Sequence, residues 1–337
     1  MLKPKACGPF EEELKKSRFV REKGLVMSGI HHITAIAGDA SRNLDFYTRV
    51  LGLRLVKKTV NFDDPGTYHL YFGDEEGHPG TILTFFPWGH APKGRAGAGL
   101  AQQTMFRIPE SAIGYWAHRF VEKGVPHEAI EKRFGQSVLS FTDPDGMSLA
   151  FVGVAGTENE PTWRDGGIPA EHAVRGFHGV RLLLEEGKRT AAILTDVLGF
   201  SEAGNEGPVT RFVANGTTAG GVIEIREAKG FLAGNMGRGS VHHVAFRAAT
   251  DEAQAEMRRK LVEGHRLHVT EQIDRNYFRS IYFREPGGVI FEIATDEPGF
   301  AIDEPVTSLG QALKLPPFLE GQRKEIEAIL QPLEQAA

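Results

Sequence analysis

Apolar positions along this chain recur in two styles. Short apolar runs, IHHITAI from Ile30 and VHHVAFRA from Val241, read as strands. Asp or Ser follows, then segments whose apolar residues return every three or four positions. Two of these, SRNLDFYTRVLG from Ser41 and DEAQAEMRRKLVEG from Asp251, predict amphipathic helices. Extended stretches come next and close on a glycine turn and an apolar strand, as in DPDGMSLAFVGV from Asp143 and EPGGVIFEIATD from Glu285. The unit is β-α-β-β-β.

That unit repeats. TRVLGL, Thr48 to Leu53, lies over TDVLGF, Thr195 to Phe200, at an offset of 147, and the same offset lays Gly29–Thr34 over Gly176–Arg181 without a gap. A second pair has an offset of 140: Gln102–Arg107 lies over His242–Arg247, with Gly124 and Gly264 following. The chain is therefore four related βαβββ modules, an α+β organisation. Each module is too small to close a core alone, so their curved sheets are expected to pair into two cup-like barrels. A Gly-, Pro- and charge-rich stretch separates the halves. The expected division is an arm over 1–27, modules 1 and 2 over 28–154, a linker over 155–175, modules 3 and 4 over 176–300, and a tail with a helix over 301–337.

Composition narrows the function classes. At 337 residues, 41% hydrophobic and 25% charged, the chain can bury sizeable cores. Its net charge of -5 supplies no basic field for nucleic acid, and no apolar run reaches a membrane-spanning length. The single cysteine, Cys7, cannot form an internal disulfide, so a reduced, cytoplasmic setting is expected. The charged first segment lacks the apolar stretch of a secretory signal; it is either an arm or an upstream start ahead of Met27.

Equivalent positions of the repeats act as an internal control on candidate chemistry. At the second residue of the first-strand pair the modules carry His32, Gln103, Gly179 and His243. At the matching point of the last strand they carry Thr84, Ala150, a position near Glu224 or Ile225 that needs a one-residue gap, and Glu292. Glu292 stands in the apolar strand GVIFEIA, where an ionised carboxylate is costly unless compensated. Two imidazoles and one carboxylate around a divalent ion would compensate it, the facial set of non-haem iron oxygenases. His32, His243 and Glu292 are thus the candidate ligands, which requires modules 1 and 4 to share one cup and leaves the other cup structural.

The plainer readings apply elsewhere. His178 aligns with His31 and His242 rather than with the ligand positions, and reads as structural. Glu224 is the rival carboxylate. His69, His78, His90, His127, His172, His265 and His268 are expected in loops or helix ends, titrating at the surface, and Cys7 is incidental. Phe85 to Trp88 reads as an aromatic core edge that can double as a substrate wall.

With these residues in place, the chain resembles the vicinal oxygen chelate superfamily, which includes glyoxalase I, bleomycin-resistance proteins and extradiol dioxygenases. Within it the chain is similar to ring-cleaving dioxygenases that open hydroquinones. The resemblance spans about residues 28–334 and rests on GIHHIT, on DRNYFRSIYFREPGGVIFEIATDEPGF from Asp274, and on LKLPPFLEGQRKEIEAIL from Leu313. It implies metal ligation by His32, His243 and Glu292, with Arg275, His242 and Tyr282 near the substrate and His31 and Thr34 behind the ligands. Neighbouring strand residues face opposite ways, so His31 and His242 reach the site only through a bulge or around a sheet edge.

Fe(II) is the implied metal, although the same donors accept Mn(II), Co(II) or Zn(II). The implied partners are O2 and a small aromatic substrate: hydroquinone, a substituted hydroquinone or catechol. Two rival readings are a glyoxalase-type isomerase or lyase, against which Thr84 argues by occupying the place of a second acid, and a metal-free protein that binds aromatic compounds. The tail helix QRKEIEAILQPLEQ is expected to cover the cup or a neighbouring subunit of a homo-oligomer.

Overall fold

The computed structural model describes residues 28–214 and 216–333. The arm over 1–27 with Cys7, the start at Met27 and the end of the expected tail helix lie outside the described residues.

Module 1 comprises β1 (Ile30–Ala37), α1 (Ala40–Asp45), β2 (Arg54–Asn61), β3 (Asp64–Gly73) and β4 (Ile82–Pro87). Module 2 comprises β5 (Leu100–Pro109), α2 (Ile113–Lys123), β6 (Glu131–Arg133), β7 (Gln136–Thr142) and β8 (Ser148–Val154). Module 3 comprises β9 (Phe177–Leu184), α3 (Lys188–Asp196), β10 (Phe200–Glu206), β11 (Val209–Ala214) and β12 (Val222–Glu227). Module 4 comprises β13 (Ser240–Ala248), α4 (Asp251–Arg259), β14 (Ile273–Asp274), β15 (Phe278–Arg284) and β16 (Ile290–Pro298). A last helix, α5 (Arg323–Ile329), lies in the tail.

These strands form two eight-stranded sheets. One runs β14-β15-β16-β13-β1-β4-β3-β2 and joins module 4 to module 1; the other runs β10-β11-β12-β9-β5-β8-β7-β6 and joins module 3 to module 2. In each module the first strand runs parallel to the last, as in β1 with β4 and β13 with β16. The modules of a sheet meet at an antiparallel seam, β1 against β13 and β5 against β9. Both sheets therefore need both halves of the chain, and modules 1 and 4 share one cup as the ligand set requires.

The helices pack their apolar stripe on the sheets. In α2, Trp116 and Phe120 are buried, with Trp116 on Phe151 at 4.4 Å and Phe120 on Phe141 at 4.5 Å between ring centres. The glycine repeated in TRVLGL and TDVLGF has a local cause. Gly52 and Gly199 end the helical segments at φ +72 and +73, and a side chain at Gly52 would lie 2.3 Å from Ile168. The expected helix from Ser41 is a short α-helix continued by a wider π-turn over Phe46–Val50.

The tail helix is shorter than its sequence pattern suggests. Leu330 is already extended, and Pro332 restricts Gln331 and offers no N–H to a further turn. Leu315, Leu319, Ile326 and Leu330 pack on Val60, with Phe62 at the edge of the cluster, so the tail lies along the rim of the first cup.

Candidate metal centre

The floor of the first cup is built at the seam. Pairing of β1 with β13 skips a residue between Ile30 and His32, a bulge that breaks strict alternation and turns adjacent histidines towards one another. His31 Nδ1 lies 2.9 Å from His32 Nδ1, and His242 Nδ1 lies 2.8 Å from His243 Nδ1. With Nδ1 so engaged, each inner imidazole presents Nε2 to the cup.

Three donor atoms converge there. His243 Nε2 is 2.9 Å from Glu292 Oε2, His32 Nε2 is 3.4 Å from the same oxygen, and the two Nε2 atoms are 3.4 Å apart. All three side chains are buried, Glu292 completely. Ser280 Oγ donates to Glu292 Oε1, whereas Oε2 has no hydrogen-bond partner among the described residues. An orphaned carboxylate oxygen facing two ring nitrogens fits a divalent ion: neighbouring ligands at about 2.1 Å from a metal lie roughly 3.0–3.4 Å apart. Among the described residues this is the one such group of His, Cys, Asp or Glu.

Electrostatics match that use. Burial lowers the His243 pKa, with Glu292 opposing, and so favours the neutral, ligating imidazole. Burial pushes Glu292 up, but the His32 and His243 imidazoles beside it outweigh this and hold its carboxyl well below the usual range.

Above the donors opens a cavity of about 500 Å³. His242, Arg275 and Tyr282 line it, with Phe86, Trp88 and Phe278 among its walls. Tyr282 stands opposite Glu292 in the β15–β16 pairing, and its hydroxyl accepts from Arg275 Nε at 3.2 Å. Arg275 also reaches across the mouth to Asp63 at 3.1 Å. Phe86 and Trp88, read as a core edge, stack at 5.2 Å on the cavity side, where His242 meets both rings edge-on. His31 and Thr34 are not among the lining residues. The His31 ring lies against His32 and Phe278, and Thr34 Oγ1 accepts from Thr84 Oγ1 at 3.0 Å.

One expectation is corrected outright. His69 is in the middle of β3 rather than in a loop or helix end, and it lines the cavity. Its Nε2 meets Thr84 Oγ1 at 2.7 Å and its Nδ1 meets the Tyr71 hydroxyl at 2.8 Å. Burial, with the nearby His32, keeps the ring's pKa well below the ordinary histidine value, so it is neutral. The sequence carried a signal for it: His69-Leu70-Tyr71-Phe72 lies over Ser280-Ile281-Tyr282-Phe283 at the offset of 211 that also relates His32 to His243. Glu224 pairs with Arg181 as Thr84 pairs with Thr34, which places it in the other cup. His178 is a buried strand residue of β9.

Relatives agree with this architecture. Residues 29–151 match the Glyoxalase/Bleomycin resistance protein/Dioxygenase superfamily. The chain is 47% identical over 306 residues to "Putative ring-cleaving dioxygenase MhqO" of Bacillus subtilis, covering 91% of this chain and 96% of that protein. It is 35% identical over 310 residues to "Chlorohydroquinone/hydroquinone 1,2-dioxygenase" of Sphingobium indicum, covering 89% and 95%. A crystal structure described as a putative dioxygenase from Bacillus subtilis superposes with a TM-score of 0.86 at 45% identity, over 92% of this chain and 98% of that one. Glyoxalase I of Zea mays shares the fold at 15% identity, with a TM-score of 0.60 over 80% and 92% of the two chains. The chain belongs to the glyoxalase/bleomycin resistance/dioxygenase superfamily. Its curated relatives at 35–47% identity carry ring-cleaving or hydroquinone dioxygenase names.

Proposed function

We propose that this protein is a ring-cleaving dioxygenase for hydroquinone-type substrates, with Fe(II) held by His32, His243 and Glu292. The observation that carries the reading is the meeting of three buried donor atoms at the floor of an aromatic-walled cup. When bound there, iron supplies open coordination positions, a path for electrons from an electron-rich ring to O2, and charge that acidifies a phenolic hydroxyl.

The chain's own groups supply the rest. Phe278, Phe86 and Trp88 hold a flat ring and exclude water. Arg275 and Tyr282, already hydrogen-bonded to one another, offer donors to an oxygen that gains negative charge as the ring opens. With His243 Nε2 kept for the metal, its proton sits on Nδ1 and donates to His242 Nδ1, so His242 carries its own proton on Nε2, the atom that donates a hydrogen bond to a substrate oxygen in the cup. In the overall reaction one ring carbon–carbon bond breaks, both atoms of O2 enter the product, and O2 is reduced while ring carbons are oxidised.

Thr84, the module 1 counterpart of Glu292, leaves the donor set at the cup floor, among the described residues, without the second carboxylate a glyoxalase-type isomerase would employ. The decisive experiment is anaerobic reconstitution with Fe(II), followed by O2 uptake on adding hydroquinone or catechol. Uptake of one O2 per ring opened is expected, with both metal content and uptake lost in His32→Ala. Uptake with neither compound, together with turnover of a thiol hemithioacetal, would overturn the reading in favour of the isomerase.

A further inference from the structure

The second sheet closes a cup of its own that the proposed reaction does not use. Register sets the two cups in correspondence. Glu292 pairs with Ala245, two residues beyond His243, and Ala150 pairs with Met105, two residues beyond Gln103. Gln103 and Ala150 thus stand where the first cup has His243 and Glu292, and Gly179 and Glu224 stand where it has His32 and Thr84. The metal-ligand types are gone, yet the cavity persists at about 450 Å³, close to the size of the first.

Guanidinium groups have taken the place of the donors. Glu224 is completely buried and clamped by Arg181 and Arg211, each at 2.6 Å. Arg133 bonds Gln103 Oε1 at 2.6 Å and Ser140 Oγ at 2.8 Å, and pairs with Glu131 at the rim. Arg226 lines the cavity from an exposed position and has no ion-pair partner among the described residues. With Glu128 on the wall, four guanidinium groups stand against three carboxylates, which leaves one positive charge over. Arg181 has its proton affinity lowered, first by burial, and then by repulsion from Arg133 and Arg226 although Glu224 offsets part of this.

We propose that the second cup is a binding site for a small, singly charged oxyanion, a carboxylate or phosphate on a molecule no larger than one ring. Arg133 and Arg226 contact the anion, and Arg181 lies behind them on the cup floor. Glu131, Gln103 and Ser140 hold the Arg133 guanidinium through Nε, Nη1 and Nη2, so its one remaining Nη1 N–H is fixed in place, while Arg226, without such bonds among the described residues, supplies the donor pair that suits an oxyanion. An anion there also relieves the mutual repulsion of the three arginines.

The test is calorimetric titration of the full-length, Fe(II)-loaded protein with benzoate, inorganic phosphate and neutral benzyl alcohol. Benzoate or phosphate is expected to bind, and whichever binds more tightly identifies the headgroup; benzyl alcohol is expected to be weaker by roughly tenfold or more. Arg226→Gln, at the exposed rim where folding is not at stake, is expected to weaken the anion by about tenfold, whereas Tyr282→Phe in the other cup leaves it unchanged. Absence of anion binding, equal affinity for benzyl alcohol, identical binding by Arg226→Gln, or loss of binding in Tyr282→Phe would each overturn the proposal.

Discussion

Glu292 pairs one satisfied oxygen with one orphaned oxygen in a strand otherwise built for burial. A fold retains such a group when something else completes it, and the position of Ser280 shows how its geometry is kept. By donating to Oε1, the hydroxyl turns Oε2 towards His32 and His243. Ser280 acts first on Glu292, with Tyr282 as its other neighbour in the centre, so its removal chiefly tests carboxylate orientation. Ser280→Ala is expected to weaken Fe(II) or Zn(II) binding about 10- to 100-fold, with the apoprotein losing about 1–3 kcal/mol from the carboxylate oxygen left unpaired. Chelator competition reads the first quantity and far-UV unfolding the second. Unaltered metal affinity would show that Glu292 is oriented by its strand alone.

At the scale of elements, the repeat was the most legible feature, because each strand-helix-strand unit has to restate its own turns and apolar stripes. His32, His243 and Glu292 could be aligned from first and last strands, and those strands meet at the cup floor. The middle strands were harder to read: His69 and Tyr71 sit on β3, whose alternation is interrupted by polar residues that face the cavity instead of the core. Nor does sequence spacing reveal that Arg211 of β11 would stand directly opposite Glu224, since that contact depends on the β11–β12 register.

The tail is held by a contact between residues far apart in sequence. Lys57, fully buried on β2, places Nζ 2.5 Å from both Asp303 and Glu304, and Asp303 also accepts from the Tyr277 hydroxyl at 2.9 Å. Lys57→Met keeps most of the stem but strands the buried Glu304 carboxylate. A loss of about 3–5 kcal/mol in unfolding free energy is expected, and adding Glu304→Gln should recover part of it. Denaturant titration of the single and double variants checks this; a Lys57→Met protein as stable as its parent would mean the tail is held by Leu315, Leu319, Ile326 and Leu330 alone.

For the whole molecule, the two cups are tied by groups that cross from module 1 to module 2, and Asp143 is the buried charge among them. It accepts from the Tyr47 hydroxyl at 3.1 Å and from the Asp145 and Met147 amides at 2.9 and 2.8 Å. Burial dominates these bonds and raises its pKa from 3.8 to about 6. Because the folded value lies above the unfolded one, the folded state holds the proton more tightly. The stabilisation this gives is present in full below about pH 4, declines as pH rises to 6, and is absent above that. A shift of two units corresponds to about 3 kcal/mol. Asp143→Asn keeps an acceptor for the two amides, lets Tyr47 accept in place of donating, and has no proton to lose. Relative to the parent, the variant should therefore gain about 3 kcal/mol between pH 4 and pH 7, in urea titrations run on both proteins across that range. All other titrating groups are common to the pair and cancel in the difference. Parallel stability profiles would mean that the cross-module hydrogen bonds outweigh burial, and that the junction between the cups carries an ionised carboxylate at no cost.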